Sequence, residues 1–329
     1  MSTRTANEAV AVAHANIALA KYWGKADVGK NVPAVPSLSL TLDALRTRTK
    51  VRFDAALSSD RVSLDGRPAR EKEAKRVVTM LDRVRELSGH SLRAEVVSEN
   101  SFPTAAGLAS SASGFAALAL AATAAAGLNL PRSTLSAMSR AASVSAARSL
   151  DGGFVSLPAL AEHAEPLVPG SHFPLSMVVA LTRAGEKSVG STEGMIRTAQ
   201  TSPYYPGWVQ HAPKLYEKIR KAVLDRDLEA LGPAVEASAL AMHASMFATD
   251  PPIVYFSPVT IAVMERVKEI RSSLFPAYFT MDAGPHVKVV TAPENAEKAA
   301  ALLAAVPGVL EVIRCNAGPD AYVEGEPSK

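Results

Sequence analysis

Lys21-Tyr22-Trp23-Gly24-Lys25 sets two ammonium groups around a pair of aromatics, directly after an apolar run. Groups so placed can grip an anion; the alternative is a surface turn with an aromatic anchor. Ser143-Val144-Ser145-Ala146-Ala147-Arg148 alternates hydroxyls ahead of an arginine and leads to Gly152-Gly153. A guanidinium beside hydroxyls suits a phosphate or carboxylate through its fork geometry. A helix end with Arg148 facing solvent is the other reading. Asp282 closes the apolar run Phe279-Thr280-Met281 and precedes Ala283-Gly284-Pro285-His286. An aspartate there either forms the turn or serves as a positioned base. Ser110 and Ser111 follow Pro103-Thr104-Ala105-Ala106-Gly107-Leu108-Ala109 and open a long Ala-rich helix. Free N–H groups, the helix dipole and two hydroxyls make such a start a phosphate site. The same serines are also good N-caps. Gly107 allows the backbone to approach a ligand closely.

Composition narrows the field. The 329 residues suit two ordinary domains or one large one, and 48% of them are apolar. The formal net charge is only +3 and the basic residues are scattered, so no nucleic-acid partner is expected. Cys315 is the single cysteine, which rules out an intrachain disulfide and fits a reducing compartment. The N-terminus has no apolar signal core. The most apolar stretch, 112–126, is mostly alanine and shorter than a membrane span of about 20 residues. A cytoplasmic protein without a membrane partner is the expectation. No His/Cys group stands at metal-ligand spacing, and both common nucleotide motifs, Gly-x-x-x-x-Gly-Lys-Ser/Thr and Gly-x-Gly-x-x-Gly, are absent. His243 is expected to pack or cap on a helix.

The elements that must position these groups follow from periodicity. Residues 9–15 read as a buried strand. Residues 37–42 and 46–53 are strand-like, the second with Thr47, Thr49, Val51 and Phe53 on one face. Asp65-Gly66 signals a hairpin turn. Residues 71–87 form an amphipathic helix with Val77, Met80 or Leu81, Val84 and Leu87 on its stripe. Strands are expected at 92–97, 154–157 and 175–181, and a helix at 135–142. Beyond Thr182 the pattern changes to glycine-rich turns and long helices, at 214–224, 227–247 with a break at Gly232-Pro233, and 259–274. Strands at 277–281 and 287–290 pair through the Asp282–Pro285 turn; helix 294–306 and strand 309–314 follow. Strands and helices mix without strict βαβ alternation, which gives an α+β class. The change of pattern divides the chain into 1–183 and 184–329.

Together these segments resemble the diphosphomevalonate decarboxylases of the GHMP kinase superfamily. Asn16-Ile17-Ala18 through Lys25 is similar to that family's N-terminal signature, and Phe102 through Ala112 to its ATP-phosphate loop. Arg148-Ser149-Leu150 with Gly152-Gly153, Lys187 through Gly194-Met195, Met242-His243-Ala244, Pro251-Pro252 and Met281 through Pro285 follow in the family's order, so the likeness covers residues 9–290. The resemblance implies a GHMP kinase fold, with an N-terminal ribosomal-protein-S5-like α/β domain, a C-terminal ferredoxin-like domain and a cleft between them. It implies ATP-dependent decarboxylation of mevalonate 5-diphosphate to isopentenyl diphosphate, ADP, phosphate and carbon dioxide, with Mg2+ and a homodimer. Carried over, Asp282, Arg148 and Lys21 are catalytic. Tyr22, Lys25, Ser143, Ser145 and Met195 meet the substrate. Asn100, Gly107, Ala109, Ser110 and Ser111 hold ATP, with Ser111 also at the metal. A decarboxylase of the 5-phosphate, a mevalonate 3-kinase and a non-catalytic nucleotide-binding protein stay open as alternatives.

The chain departs from the family pattern at four places. Ala142-Ser143-Val144-Ser145 replaces Gly-Ser-Gly-Ser, and Val144 does not readily take positive φ. Asp151 stands where an aromatic is usual and brings a carboxylate toward the expected anion site. Pro36 replaces a polar residue, and His286 an asparagine. These changes bear on substrate recognition more than on phosphoryl transfer.

Overall fold

The computed structural model describes residues 7–102, 110–183, 185 and 188–325. The chain opens with β1 (Glu8–Ala20), a ribbon of β2 (Lys25–Asp27) and β3 (Val32–Pro33), and the long β4 (Ser37–Asp54). β1 and β4 run antiparallel from Glu8 opposite Arg52 to Ala20 opposite Leu38. In β4, Thr47, Thr49, Val51 and Phe53 face inward while Arg46 and Arg48 face out, as the period of two predicts. β1 continues past the expected residue 15, with register shifts between His14 and Asn16 and between Ala18 and Ala20. Such irregularities re-aim side chains, here in the segment that ends at Lys21.

β5 (Arg61–Leu64) and β6 (Arg67–Pro68) form the hairpin signalled by Asp65-Gly66, whose φ values are 48° and 75°. α1 (Glu71–Ser88) buries Val77, Met80, Leu81 and Val84, whereas Leu87 near its end is 40% exposed. β7 (Arg93–Asn100) leads toward α2 (Ser110–Ala125), a helix buried on nearly every side, which its alanines allow. α3 (Arg132–Ala142), a 3-10 turn over Val144–Ser149, β8 (Phe154–Leu157) and β9 (Glu165–Val168) complete this unit.

The second unit comprises β10 (Ser176–Leu181), α4 (Ser191–Thr201), α5 (Tyr205–Asp225), α6 (Leu228–Phe247), α7 (Pro258–Ser273), β11 (Ala277–Met281), β12 (Val287–Thr291), α8 (Ala296–Ala304) and β13 (Glu311–Asn316). Its sheet has the order β11-β12-β10-β13 and is antiparallel throughout. The short β14 (Tyr322–Val323) returns to the first sheet, whose order is β14-β1-β4-β7-β5-β6, with β8 on β4 and β9 on β8. Only β5 and β7 pair parallel among the described strands, consistent with the α+β reading. Among the described residues no helix is long and apolar enough to cross a membrane.

Hydrogen bonding divides the chain differently from the change of pattern at 183. β10 lies inside the second sheet, between β12 and β13, so the sheets change over between Val168 and Ser176. The predicted break at Gly232-Pro233 is absent, because α6 runs through it. A Cβ on Gly232 would stand 2.1 Å from the Tyr278 ring, so this glycine serves a close approach of α6 to β11. α5 begins at Tyr205 rather than 214 and carries Pro213 within it. One core joins the two sheets: Leu38, Leu40 and Leu42 of β4 pack with Met177, Val179 and Leu181 of β10 and Ile219 and Val223 of α5. Each such side chain contributes about 1.5–3 kcal/mol of burial, which holds β4 of the first sheet against β10 of the second.

Candidate active site

The end of β1 and the end of β11 meet at a buried ion pair. Lys21, only 1% exposed, donates from Nζ to Asp282 Oδ1 at 2.7 Å and to the Ala18 carbonyl at 2.7 Å. Its own N–H donates to Ser238 Oγ of α6 at 3.0 Å. The surface-turn reading of Lys21 is therefore overturned. On the other side of the carboxylate, Lys288 Nζ of β12 lies 3.2 Å from Asp282 Oδ2 and is fully buried. Asp282 keeps a quarter of its side chain exposed. Burial alone would raise its pKa, but Lys21 and Lys288 overcome that and hold the carboxyl well below the usual carboxylate range. Burial pushes Lys21 down to about 8, against the opposing pull of Asp282. The Asp282 carbonyl also accepts a turn hydrogen bond from Gly284 N–H at 2.7 Å. Its backbone forms the turn while its side chain faces the lysines.

Arg148 is 2% exposed, which excludes the solvent-facing alternative. Nε donates to Ser39 Oγ at 3.0 Å and to Asn16 Oδ1 at 3.3 Å, and Nη1 donates to Ser37 Oγ at 2.6 Å. All three acceptors are neutral. Burial pushes its pKa down to about 10, opposed by Asp282 and Tyr22. Asn16 braces this corner, donating to the Ser145 carbonyl at 3.0 Å and to Ser149 Oγ at 2.7 Å. The Tyr22 hydroxyl is buried without a hydrogen-bond partner among the described residues, and burial raises its pKa. Lys25 donates to Asn31 Oδ1 at 2.6 Å and Thr192 Oγ1 at 3.3 Å, with its pKa lowered by burial and by Arg76. Ser143 and Ser145 are half-buried, their hydroxyls 3.4 Å apart. The arrangement is one carboxylate among buried cations, with the hydroxyls of Ser37 and Ser39 on the guanidinium. Its positive surplus suits a multiply charged anion.

The departures settle into structure. Val144 has no positive φ and packs with Ala147, Val155 and Leu157. Asp151 lies 3.8 Å from Arg132 Nε, and burial raises its pKa. His286 is buried, accepts the Thr182 N–H at Nδ1 at 3.1 Å and is pushed down to about 3 by burial and Lys288. Pro36 is buried immediately before β4.

Not every expected residue joins the cluster. Met195 is 6% exposed and packs in an apolar group with Trp23, Trp208, Met242 and Tyr255. Its surroundings make it a packing residue behind the aromatic anchor. Asn100 ends β7 with its amide committed to Asp65 Oδ2 at 3.1 Å and its carbonyl oxygen accepting from Thr47 Oγ1 at 2.6 Å. Ser110 and Ser111 open α2, with Ser111 exposed. Gly107 and Ala109 lie outside the described residues. Lys288, Asn16, Ser37 and Ser39 were not singled out from the sequence. The signal for Lys288 was available, as a lone lysine among Val287, Val289 and Val290. His243, expected to pack, does so against Phe256 with ring centroids 4.6 Å apart. It also donates from Nε2 to the Asp282 carbonyl at 3.1 Å, and burial pushes it down to about 3, so it is neutral.

Two mixed units, joined over a buried carboxylate and its cations, define a fold of the GHMP kinase class. Residues 13–165 match the diphosphomevalonate decarboxylase-like N-terminal domain, and residues 177–320 the mevalonate 5-diphosphate decarboxylase C-terminal domain. The chain belongs to the diphosphomevalonate decarboxylase family. It is 34% identical to the diphosphomevalonate decarboxylase of Ganoderma lucidum over 324 residues, covering 90% of this chain and 81% of that one. A solved complex of MDDEF with MVAPP, AMPPCP and magnesium is 41% identical, with a TM-score of 0.89 over 96% of this chain and 98% of that one. The mevalonate diphosphate decarboxylase of Staphylococcus aureus is 36% identical, with a TM-score of 0.91 over 96% and 97%.

Proposed function

We propose that this protein is an ATP-dependent decarboxylase that converts mevalonate 5-diphosphate to isopentenyl diphosphate, ADP, phosphate and carbon dioxide. Family membership supports the activity. The observation that carries the site is Asp282 bracketed by Lys21 and Lys288, with buried Arg148 held only by neutral acceptors.

In this reading Asp282 receives the hydrogen bond of the substrate's 3-hydroxyl and aims its oxygen at the γ-phosphorus of ATP. A carboxylate held so far toward its ionised form is a weak base. Phosphoryl transfer through a loose transition state asks for positioning more than for a strong base, so the weakness is tolerable. Arg148 and Lys21 hold the substrate's anionic groups. Tyr22, Lys25, Ser143 and Ser145 serve the 5-diphosphate, and the unpartnered Tyr22 hydroxyl gains a partner there. The 3-oxygen bonds to the γ-phosphorus as the bond to the ADP oxygen breaks, and its proton passes to a phosphate oxygen; the phosphate then leaves carbon 3 with the electrons of the carbon–oxygen bond. The carboxylate departs as carbon dioxide, and its electron pair forms the carbon–carbon double bond.

The start of α2 fits the nucleotide phosphates, since its first turn carries no acidic residue and Ser111 is exposed. Ser110 and Ser111 would hold those phosphates, with Ser111 beside Mg2+; Asn100, Gly107 and Ala109 complete the expected nucleotide site. Bound magnesium supplies neutralisation of phosphate charge during transfer. A cytoplasmic homodimer completes the proposal.

The placement of Asp151 against Arg132 and of Val144 in packing favours the 5-diphosphate over the 5-phosphate. The test is release of ADP and carbon dioxide with Mg-ATP and each of mevalonate, its 5-phosphate and its 5-diphosphate. Both products from the 5-diphosphate alone are expected. Both products from the 5-phosphate alone, or ADP without carbon dioxide, would overturn the reading.

A further inference from the structure

Lys288 is a second buried cation at Asp282, and the substrate does not explain it. All five residues of β12 are buried, and Lys288 is the only charged one. A fully buried ammonium is costly unless an anion compensates it. Its only ion pair among the described residues is with Asp282 Oδ2 at 3.2 Å; a hydrogen bond to the His286 carbonyl at 3.4 Å is its other contact.

The two lysines differ in where they stand. Lys21 follows β1 of the first sheet and takes Oδ1. Lys288 belongs to β12, hydrogen-bonded to β11, which Asp282 follows. Lys288 is thus built into the same sheet as the carboxylate, while Lys21 reaches it from across the junction. Lys21 also holds the Ala18 carbonyl, a bond it can exchange for an anionic substrate group.

We propose that Lys288 is the resident counter-ion of Asp282, a positioning residue that holds the carboxylate ionised and oriented and so frees Lys21 to turn to the substrate. The inference rests on the decarboxylase reading above. The other charged and titratable groups around Asp282 are consistent with it. His243 of α6 is neutral and bonded to the Asp282 carbonyl. His286 is neutral beside Lys288. Arg148 acts on Asp282 from the 3-10 turn. With Lys21 engaged by substrate, Lys288 is the remaining cation in contact with the carboxylate.

The experiment compares Lys288→Met with the parent, reading kcat and KM for the 5-diphosphate from pH 4.5 to 8 together with thermal stability. The parent is expected to hold its kcat toward the acid edge of its folded range. The variant gains an acid-side loss, because with Lys21 on the substrate it removes the remaining cation in contact with the carboxyl, and burial then raises that carboxyl above its ordinary value. At neutral pH its kcat falls ~10- to 100-fold, the scale of a slightly misplaced group, with KM nearly unchanged. A merely structural lysine would lower stability without moving the acid limb. Lys288→Arg keeps the charge and is expected to restore the parent profile, while Lys288→Gln behaves like the methionine variant. These two decide the matter should Lys288→Met fail to fold. An acid limb shared by the arginine and glutamine variants, or present in neither, overturns the inference. A parent inactive on the 5-diphosphate overturns instead the reading beneath it.

Discussion

Replacing Asp282 with asparagine removes a charge while keeping the shape, and two buried lysines lose their anion together. Lys21 already falls from its ordinary 10.5 to about 8 with Asp282 present. That fall corresponds to about 3 kcal/mol set against the ammonium form, at roughly 1.4 kcal/mol per pH unit. Breaking a buried pair costs about 3–5 kcal/mol, and the amide's retained hydrogen bonding points to the lower end. The sign of the pH dependence follows from proton counting. Lys21 in the folded variant drops below 8, while the unfolded chain keeps an ordinary lysine. From that lower pKa up to about 10.4 the unfolded state binds more protons, so stability rises with pH. The variant should therefore be about 3 kcal/mol less stable than the parent near pH 7, and the gap should narrow as pH rises to the parent's own Lys21 value of about 8, above which both proteins gain stability alike. Denaturant unfolding of both proteins at pH 6.5, 8 and 9.5 measures this. Turnover of the 5-diphosphate should fall by ~10²-fold or more. A stability gap that does not change with pH, or near-normal turnover, refutes the account of a carboxylate compensating buried lysines.

Arg148→Lys should cost about 2–4 kcal/mol in kcat/KM, since one ammonium cannot reproduce donation to Ser37, Ser39 and Asn16 and leaves buried acceptors unpaired; unchanged steady-state kinetics would remove Arg148 from the site. Tyr22→Phe deletes a buried hydroxyl that has no hydrogen-bond partner among the described residues. Its melting temperature should be equal or higher while KM for the 5-diphosphate rises several-fold, and a lower melting temperature with unchanged KM would count against a substrate contact. Gly24→Ala meets both a φ of 111° and a Tyr205 hydroxyl 2.1 Å from the new Cβ. It should lose about 2 kcal/mol in chemical denaturation, and a neutral result would mean that Tyr205 moves aside freely.

Local features were legible in the sequence. The alternation of β4 gave its inward face, and Asp65-Gly66 gave the hairpin, because both depend on residues a few positions apart. The burial of Lys21 was not legible, since the groups that enclose it come from far along the chain: Ser238 is 217 residues away and Asp282 is 261. Arg148 stands out as a candidate in the sequence, but its burial was not legible there, for the same reason. The apolar run of β10 announced a buried strand without saying which sheet it joins, so the expected boundary fell after it. Gly232-Pro233 looked like a break because nothing local reveals the Tyr278 ring that requires the glycine. The family resemblance supplied Asp282, Lys21 and Arg148 together, but not Lys288 or the His243 bond to the Asp282 backbone.

The return of β14 to β1 has a consequence for how the molecule is made. Val323 pairs with Ala11 and Tyr322 with Val12, so part of the outer edge of β1 is covered by residues synthesised long after it. A nascent chain emerging from the ribosome carries that part of the edge bare until β14 is free. Strand edges in that state template pairing with other chains. Removing Tyr322 and Val323 would leave the residues of the proposed site in place and would still hand the protein an adhesive edge, so solubility during synthesis depends on β14.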